Sequence, residues 1–317
     1  MRVVVTGADG FVGRHLIDHL TECGDDVLAL TGPRSSSQLG PSVDVLDDRA
    51  LRGAIAPFAP DALVNLAGLS SIAECDADPM ACFRVNLLGA AGVCLALRDV
   101  APRARLVLIG SGEMYGPVPE GKRAAESDPL VATNVYAAAK VGAEVAAIAF
   151  HRSDGLDVVA ARPFNHLGPG QRTTFSVPSF ARQLEAIRAR RAVGVLEVGN
   201  LDAVRDFLHV RDVVRAYRFL IEHGASGASY NVCSGEARTI RSIVEELIGL
   251  SGVDARIVVD PARVRPLDIP RLVGNPSRLW ELGWKPRYAV RDALAGVLTE
   301  AEGQMSQAHA APPPGVG

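Results

Sequence analysis

The opening stretch constrains this chain more than any other. A β-branched run over 2–5 leads straight into Thr6-Gly7-Ala8-Asp9-Gly10-Phe11-Val12-Gly13, and an amphipathic segment over 14–23 follows, closed by Gly24. The pattern predicts strand, glycine turn and helix. The helix then aims its unpaired N–H groups and positive dipole end at the turn, where glycines let a phosphate approach the backbone. At the start of a chain, such a unit predicts a dinucleotide pyrophosphate site on an open parallel sheet.

The same alternation continues downstream. Strands are expected at 27–30, at a third short run ahead of Asp44-Val45-Leu46-Asp47, at 62–65 ending in Leu66-Ala67-Gly68, at 106–109 ending in Gly110-Ser111-Gly112-Glu113, and at 158–161. Helices are expected over 83–97 and over 136–150, both apolar around most of their circumference. That regular rhythm predicts an α/β fold, a Rossmann-type doubly wound parallel sheet. After Arg162-Pro163 it breaks into short strands (195–198, 256–259), helices (177–188, 213–221, 240–250) and turns, as in a smaller α+β substrate-binding lobe. The expected division is 1–165 with 207–230 for the dinucleotide domain, 166–206 with 231–303 for the second lobe, and a disordered tail over 304–317.

Helices apolar on two faces need a partner besides the sheet, so a homodimer through 83–97 and 136–150 is expected. A net charge of -3 gives no footprint for nucleic acid or an anionic membrane. No apolar run of transmembrane length and no signal peptide is apparent. Cys23, Cys75, Cys82, Cys94 and Cys233 form no C-x-x-C pair and no metal-ligand spacing, which fits free thiols in a reducing cytoplasm. His15 and His19 lie one helical turn apart without a third ligand, and read as a solvated face rather than a metal site. Trp280 and Trp284 read as packing residues.

Two local patterns carry the chemistry. The second strand ends in Thr31-Gly32-Pro33-Arg34-Ser35-Ser36-Ser37, with no acid to receive a ribose 2′-hydroxyl and an arginine able to pair with a 2′-phosphate. This favours NADP(H) over NAD(H). Tyr136 and Lys140 lie four apart on a helix rich in alanine, so phenol and ammonium share one face. A lysine near a phenol favours the phenolate and is expected to lower its pKa, letting the tyrosine exchange a proton with a substrate oxygen.

With the glycine loop, Ser111 at a strand end, and Tyr136 and Lys140 on the next helix, the chain resembles the extended short-chain dehydrogenase/reductase superfamily over nearly all of 1–303. The resemblance makes Ser111, Tyr136 and Lys140 the catalytic triad. Arg162-Pro163-Phe164-Asn165-His166-Leu167-Gly168-Pro169-Gly170-Gln171, the run from Val198 to Phe207 with Arg205-Asp206, Tyr230-Asn231-Val232, and Arg265-Pro266-Leu267-Asp268 look like two sister groups. These are the GDP-4-keto-6-deoxy-D-mannose reductases and the GDP-mannose 4,6-dehydratases.

The resemblance implies NADP(H) held by Gly7, Asp9, Gly10, Phe11, Val12, Gly13, Arg34, Asp44, Val45, Leu66, Ala67, Tyr136, Lys140 and Arg162. It implies a GDP-sugar held by Ser111, Glu113, Asn165, Arg205, Arg265 and Asp268, with the arginines on the pyrophosphate. Gly168-Pro169-Gly170-Gln171 stands where dehydratases carry an Arg-Arg-Gly-Glu-like segment, which favours reduction of a C4 ketone to GDP-D-rhamnose. Glu113 occupies the place of the dehydratases' C5 base and keeps the 4,6-dehydratase, or another sugar-nucleotide epimerase or dehydratase of the superfamily, as the alternative. Val135 and Ala137 depart from the usual Pro-Tyr-Gly around the tyrosine.

Overall fold

The computed structural model describes residues 1–33, 35–189, 194–264 and 268–310. Strand β1 (Arg2–Thr6) leads through the glycine turn into helix α1 (Phe11–Glu22), followed by β2 (Asp26–Leu30), α2 (Asp48–Phe58), β3 (Ala62–Asn65) and α3 (Ile72–Ala77). Helices α4 (Pro79–Phe83) and α5 (Gly89–Val100) are joined by a π turn, Arg84–Leu88. Next come β4 (Arg105–Ile109), a 3-10 turn (Gly112–Tyr115), α6 (Val135–Asp154) and β5 (Val158–Pro163). The second half contains β6 (Asn165–Leu167), α7 (Ser176–Arg188), β7 (Val195–Val198), β8 (Val204–Arg205), β9 (Phe207–His209), α8 (Val210–His223) and β10 (Ser229–Val232). It ends with β11 (Arg238–Thr239), α9 (Ile240–Ser251), β12 (Arg256–Val259), β13 (Arg271–Leu272), α10 (Ser277–Glu281) and α11 (Val290–Ala310).

The main sheet has six strands in the order β10-β5-β4-β3-β1-β2, and every neighbouring pair is parallel. Its strands read as continuous apolar runs because helices cover both faces. Alternate residues divide between two cores. Val3 and Val5 pack with Leu16 and Leu20 of α1 and Val213 and Leu220 of α8. Val4, Leu63 and Leu106 pack with Leu51 of α2, Val93 and Leu97 of α5 and Ala143 of α6. A doubly wound sheet results, with its strand ends gathered along one edge.

The smaller lobe consists of the β11-β8-β13 sheet, the β12-β7 pair and a separate core among α7, α9 and α11. Fully buried Asp206, between β8 and β9, joins this lobe to the sheet. Its carboxylate accepts from Ser234 N (2.8 Å), Ser234 Oγ (2.6 Å), Gly235 N (2.9 Å) and Gly274 N (3.2 Å), pinning the loop after β10 to the loop after β13.

Three expectations need correction. The short strand ahead of Asp44 is not formed: Gly40-Pro41 interrupts pairing and leaves only the isolated bridge Thr31↔Ser42. The sixth strand comes instead from Ser229–Val232, whose register beside β5 is set by a pairing distant in sequence. The tail expected to be disordered from Gln304 is helical as far as Ala310. A third difference concerns the helical run Pro79–Val100, which is long and apolar enough to cross a membrane by length and composition (22 residues, mean hydropathy 1.8). In this fold it lies along the sheet with Cys82, Asn86, Val93 and Leu97 turned inward and Met80 and Leu88 exposed.

Beneath the strand ends, Arg162 and Glu144 form an ion pair with both side chains buried. Arg162 Nε and Nη2 donate to the Glu144 carboxylate (3.0 and 2.5 Å), and Nη1 donates to Tyr115 Oη (2.7 Å). Removing one partner strands a charge, whereas removing both does not. We expect Arg162→Met to destabilise the protein by about 3–5 kcal/mol in urea unfolding, and Arg162→Met/Glu144→Met to recover most of that loss.

Candidate active site

The crevice begins where β1 meets β3. Thr6 Oγ1 donates to Asn65 Oδ1 (2.7 Å) and accepts from Ala67 N (3.2 Å), fixing the two strand ends against each other. The glycine turn then packs on 66–67 so closely that only glycine fits. Gly7 has φ +64°, and a Cβ there would lie 2.8 Å from Ala67 N; a Cβ on Gly13 would lie 2.4 Å from Gly7 O. Gly10 caps α1 without a side-chain hydrogen bond, so no capping side chain satisfies the first-turn amides.

Other expected cofactor residues are placed as follows. Asp9 gives its carbonyl to Arg14 Nε (3.1 Å), and Asp44 Oδ1 accepts from Leu46 N (3.0 Å). Val45 is buried against α5, where Gly89 and Gly92 admit it. Arg34 lies outside the described residues. Arg162 requires a correction: its donors are committed to Glu144, Tyr115 and the Glu126 carbonyl, making it a tie beneath the sheet edge rather than a contact for a cofactor.

One cluster joins the residues expected to be catalytic. Ser111 lies two residues beyond the end of β4 and N-caps the 3-10 turn, with its Oγ accepting from Glu113 N (3.2 Å). Asn134 does two jobs: its Oδ1 accepts from Ala137 N (2.8 Å) to cap α6, and its Nδ2 donates to Glu113 Oε2 (3.4 Å). The turn bearing Ser111 and Glu113 is thereby locked to the first turn of α6, which carries Tyr136. The Ser111 hydroxyl lies close enough to the Tyr136 phenol to act on its pKa. One turn further on, buried Lys140 donates from Nζ to the Ile109 carbonyl (2.9 Å), and its Nζ lies 6.0 Å from the centre of the Tyr136 ring.

The electrostatics differ from the expectation. Loss of solvent dominates at half-buried Tyr136 and pushes its pKa up; the nearby Ser111 hydroxyl acts against this, while the Glu113 charge adds to it. Lys140 is affected in the opposite direction, pushed down to about 8 by burial. Without ligand the phenol is therefore protonated at neutral pH, the form that can give a proton away.

Sequence reasoning missed Asn86 and Asn134. Asn86 sits in the π turn; Leu69 N donates to its Oδ1 (2.9 Å) and its Nδ2 donates to Leu69 O (3.0 Å). This clamp holds the 66–69 loop beside Lys140, and a Cβ on Gly68 would lie 2.5 Å from Asn86 Oδ1 and 3.6 Å from Lys140 Nζ. Asn134 was legible as an N-cap ahead of the Tyr136 helix. Nothing local marks Asn86.

In the second lobe, Asn165 starts β6, paired with β9. Arg205 is buried, donating from Nη2 to Asp268 Oδ1 (2.7 Å) and from Nη1 to the Ile269 and Val204 carbonyls (2.7 and 3.0 Å). Two residues expected on one substrate thus meet each other. Arg265 lies outside the described residues. His15 Nε2 contacts Pro169 O (2.8 Å), and its ring meets Phe11 edge-on. Trp284 is buried in the sheet core with Trp280 packed against it.

Comparison with known proteins agrees with this geometry. The model of the NAD dependent epimerase/dehydratase family matches residues 3–233, and GDP-6-deoxy-D-mannose reductase from Pseudomonas aeruginosa is 36% identical over 96% of this chain and 99% of its own. The chain belongs to the NAD dependent epimerase/dehydratase family. Among solved structures, RMD from Pseudomonas aeruginosa complexed with NADPH superposes with a TM-score of 0.86, at 36% identity, covering 96% of this chain and 99% of the other. UDP-glucose 4-epimerase from Thermus thermophilus, complexed with NAD, superposes with a TM-score of 0.85 at 29% identity, with 96% and 99% covered. This epimerase/dehydratase family member is thus similar to a reductase over its whole fold, and to an epimerase nearly as closely in shape.

Burial of Lys140 predicts a conflict between stability and activity. Lys140→Met should stabilise the ligand-free protein by about 1–3 kcal/mol in thermal or urea unfolding, while reducing turnover. The sign with pH follows from the lowered pKa. The wild-type penalty is full below about 8 and is relieved as pH rises toward the ordinary lysine value of 10.5, so the two unfolding curves should converge there.

Proposed function

We propose that the protein catalyses NADPH-dependent reduction of the C4 ketone of GDP-4-keto-6-deoxy-D-mannose, giving GDP-D-rhamnose. The observation that carries this reading is the 36% identity, end to end, with GDP-6-deoxy-D-mannose reductase, taken together with the Ser111, Tyr136 and Lys140 cluster. A protonated Tyr136 supports the direction, because reduction of a ketone needs an acid at its oxygen.

The residues fit the cofactor. Gly7 and Gly13 pack where a Cβ would strike backbone, Gly10 adds a third small residue to the turn, and the first-turn amides of α1 suit a pyrophosphate. Leu66, Ala67, Asp44 and Val45 would flank the rest of it. The hydroxyl-rich segment after β2 holds no acid and includes Arg34, in keeping with a 2′-phosphate. Bound NADPH supplies the hydride for C4.

The chain's own residues do the remaining work. Ser111 hydrogen-bonds the C4 oxygen and Tyr136 gives it a proton. The Lys140 ammonium, held to Ile109, favours the phenolate left behind. Glu113, tied to Asn134, would hold a sugar hydroxyl. Asn165, Asp268 and the arginines Arg205 and Arg265 would bind the nucleotide; for Arg205 this means adding phosphate oxygens beside the Asp268 pair.

The site belongs, in this reading, to a cytoplasmic homodimer. Exposed Met80 of α4, Leu88 of the π turn and Val145 of α6 give that helical layer an apolar outer face, which a second copy would cover.

Substrate trials separate the readings. Loss of NADPH with the 4-keto sugar, and no consumption of GDP-mannose alone, is expected of the reductase; consumption of GDP-mannose alone would indicate the dehydratase. Tyr136→Phe should reduce turnover about a hundredfold or more and leave NADPH binding intact. Because Lys140 is charged below about 8, kcat should hold there and fall as pH rises through that value. Lys140→Arg should remove the fall.

A further inference from the structure

Three loops meet around an open cleft of about 1040 Å³ whose lining includes Lys122, Arg123, Gly235, Glu236, Arg271 and Asn275. They are the stretch over 118–126, the loop after β10 and the residues in and just after β13. None of these lining residues belongs to the crevice described above. Nearby Ala124, Cys233 and Leu272 turn inward instead, into a buried apolar cluster with Tyr115 and Phe164.

The three loops are fastened to one another. Ala124 N donates to Val273 O and Asn275 N to Ala124 O (both 2.8 Å), and Asn231 Nδ2 donates to the same Ala124 carbonyl (2.8 Å). Gly235 N and Gly274 N both donate to buried Asp206 (2.9 and 3.2 Å). The walls are thus fixed before a ligand arrives, which lowers the cost of ordering them on binding.

What these walls present is donors. Arg271 gives Nε to Pro119 O (3.3 Å) and Nη2 to Lys122 O (3.1 Å), which fixes its guanidinium and leaves Nη1 uncommitted among the described residues. The Arg123 guanidinium carbon lies 3.7 Å from where a Cβ on Gly235 would sit. Neither Arg123 nor Lys122 has a side-chain hydrogen-bond or ion-pair partner among the described residues. Asn275 Oδ1 accepts from Ser277 N (3.1 Å) and Ser277 Oγ (2.7 Å), so the acceptor end of that amide is taken and its donor end is not. Glu236, the one carboxylate in the lining, forms no ion pair with any of the three cations. Uncompensated cations gathered in a concavity focus a positive potential, and guanidinium and ammonium groups pair with phosphate oxygens.

We propose that this cleft is a second ligand site, which binds a phosphate-bearing small molecule through Lys122, Arg123 and Arg271, with Asn275 Nδ2 donating beside them. The volume admits a nucleoside diphosphate or a sugar phosphate, because pockets for such ligands span about 300–1,000 Å³. Phosphate is the chemistry common to both. The site lies apart from the proposed ketone reduction and does not depend on it.

Amide NMR of the ¹⁵N-labelled full chain, titrated with inorganic pyrophosphate, reads the cleft directly. The signals of Gly121, Lys122, Arg123, Gly235 and Glu236 should shift together and saturate. Lys122→Gln and Arg123→Gln should each weaken that titration about two- to fivefold, the range of an exposed charge pair, and the double variant about tenfold. Both side chains are exposed, so the melting temperature of the ligand-free variants should match that of the wild type. Arg49→Gln, which removes an exposed cation from α2, should leave the titration unchanged. GDP and glucose 1-phosphate, titrated in turn, show whether the rest of the ligand is a nucleoside or a sugar. Cleft signals that stay in place with all three ligands would overturn the proposal. So would a titration of equal strength in the double variant, or shifts confined to crevice amides such as those of Gly10 and Gly13.

Discussion

Lys140 carries its charge into a place that water hardly reaches, and the carbonyl of Ile109, at the last residue of β4, receives it. The arrangement around it depends on that bond. It holds the first turns of α6 against the end of β4, so that Tyr136 comes beside Ser111, the residue two places beyond Ile109. Burial weakens the ammonium toward about 8, and the same lack of solvent keeps Tyr136 protonated. A lysine that were better solvated would be easier to fold around, but would exert less field on the phenolate that proton transfer leaves. Local instability is thus built into the proposed catalytic site.

Around this pair the molecule uses asparagines and paired charges as fasteners. Asn134 joins the Ser111 turn to α6, and Asn86 closes the 66–69 loop next to Lys140. Arg162–Glu144 supports the strand ends from below, and Asp206 binds the second lobe to the edge of the sheet through four donors. Each fastener is a polar or charged side chain held by directional hydrogen bonds to backbone groups or to other side chains. Such contacts fix distances more narrowly than apolar packing does, which suits a site whose reacting atoms must meet.

Much of this was legible in the chain itself, because the signals are local. The glycine turn needs small residues at Gly7 and Gly13, and the strands of a parallel sheet read as apolar runs; both features depend on neighbours in sequence. Ser111, Tyr136 and Lys140 could be grouped because successive strand ends and helix starts of a doubly wound sheet converge. What escaped depends on partners far away. Ser229–Val232 becomes the edge strand through pairing with β5, the run before Asp44 fails as a strand because Gly40-Pro41 interrupts it, and Arg162 and Arg205 are occupied by Glu144 and Asp268. An arginine's sequence position shows a positive charge but not which carboxylate will claim it. The phenol's pKa went the other way for the same reason, since desolvation is a property of the fold.

The central claim is that a protonated Tyr136 serves the reduction of a C4 ketone on a nucleotide-bound sugar. It is tested most directly by turnover of GDP-4-keto-6-deoxy-D-mannose with NADPH deuterated at the transferred position, followed by NMR of the product. The account predicts deuterium at C4 of the 6-deoxy sugar and one NADPH consumed per molecule formed. Unlabelled product formed without consumption of NADPH would contradict it.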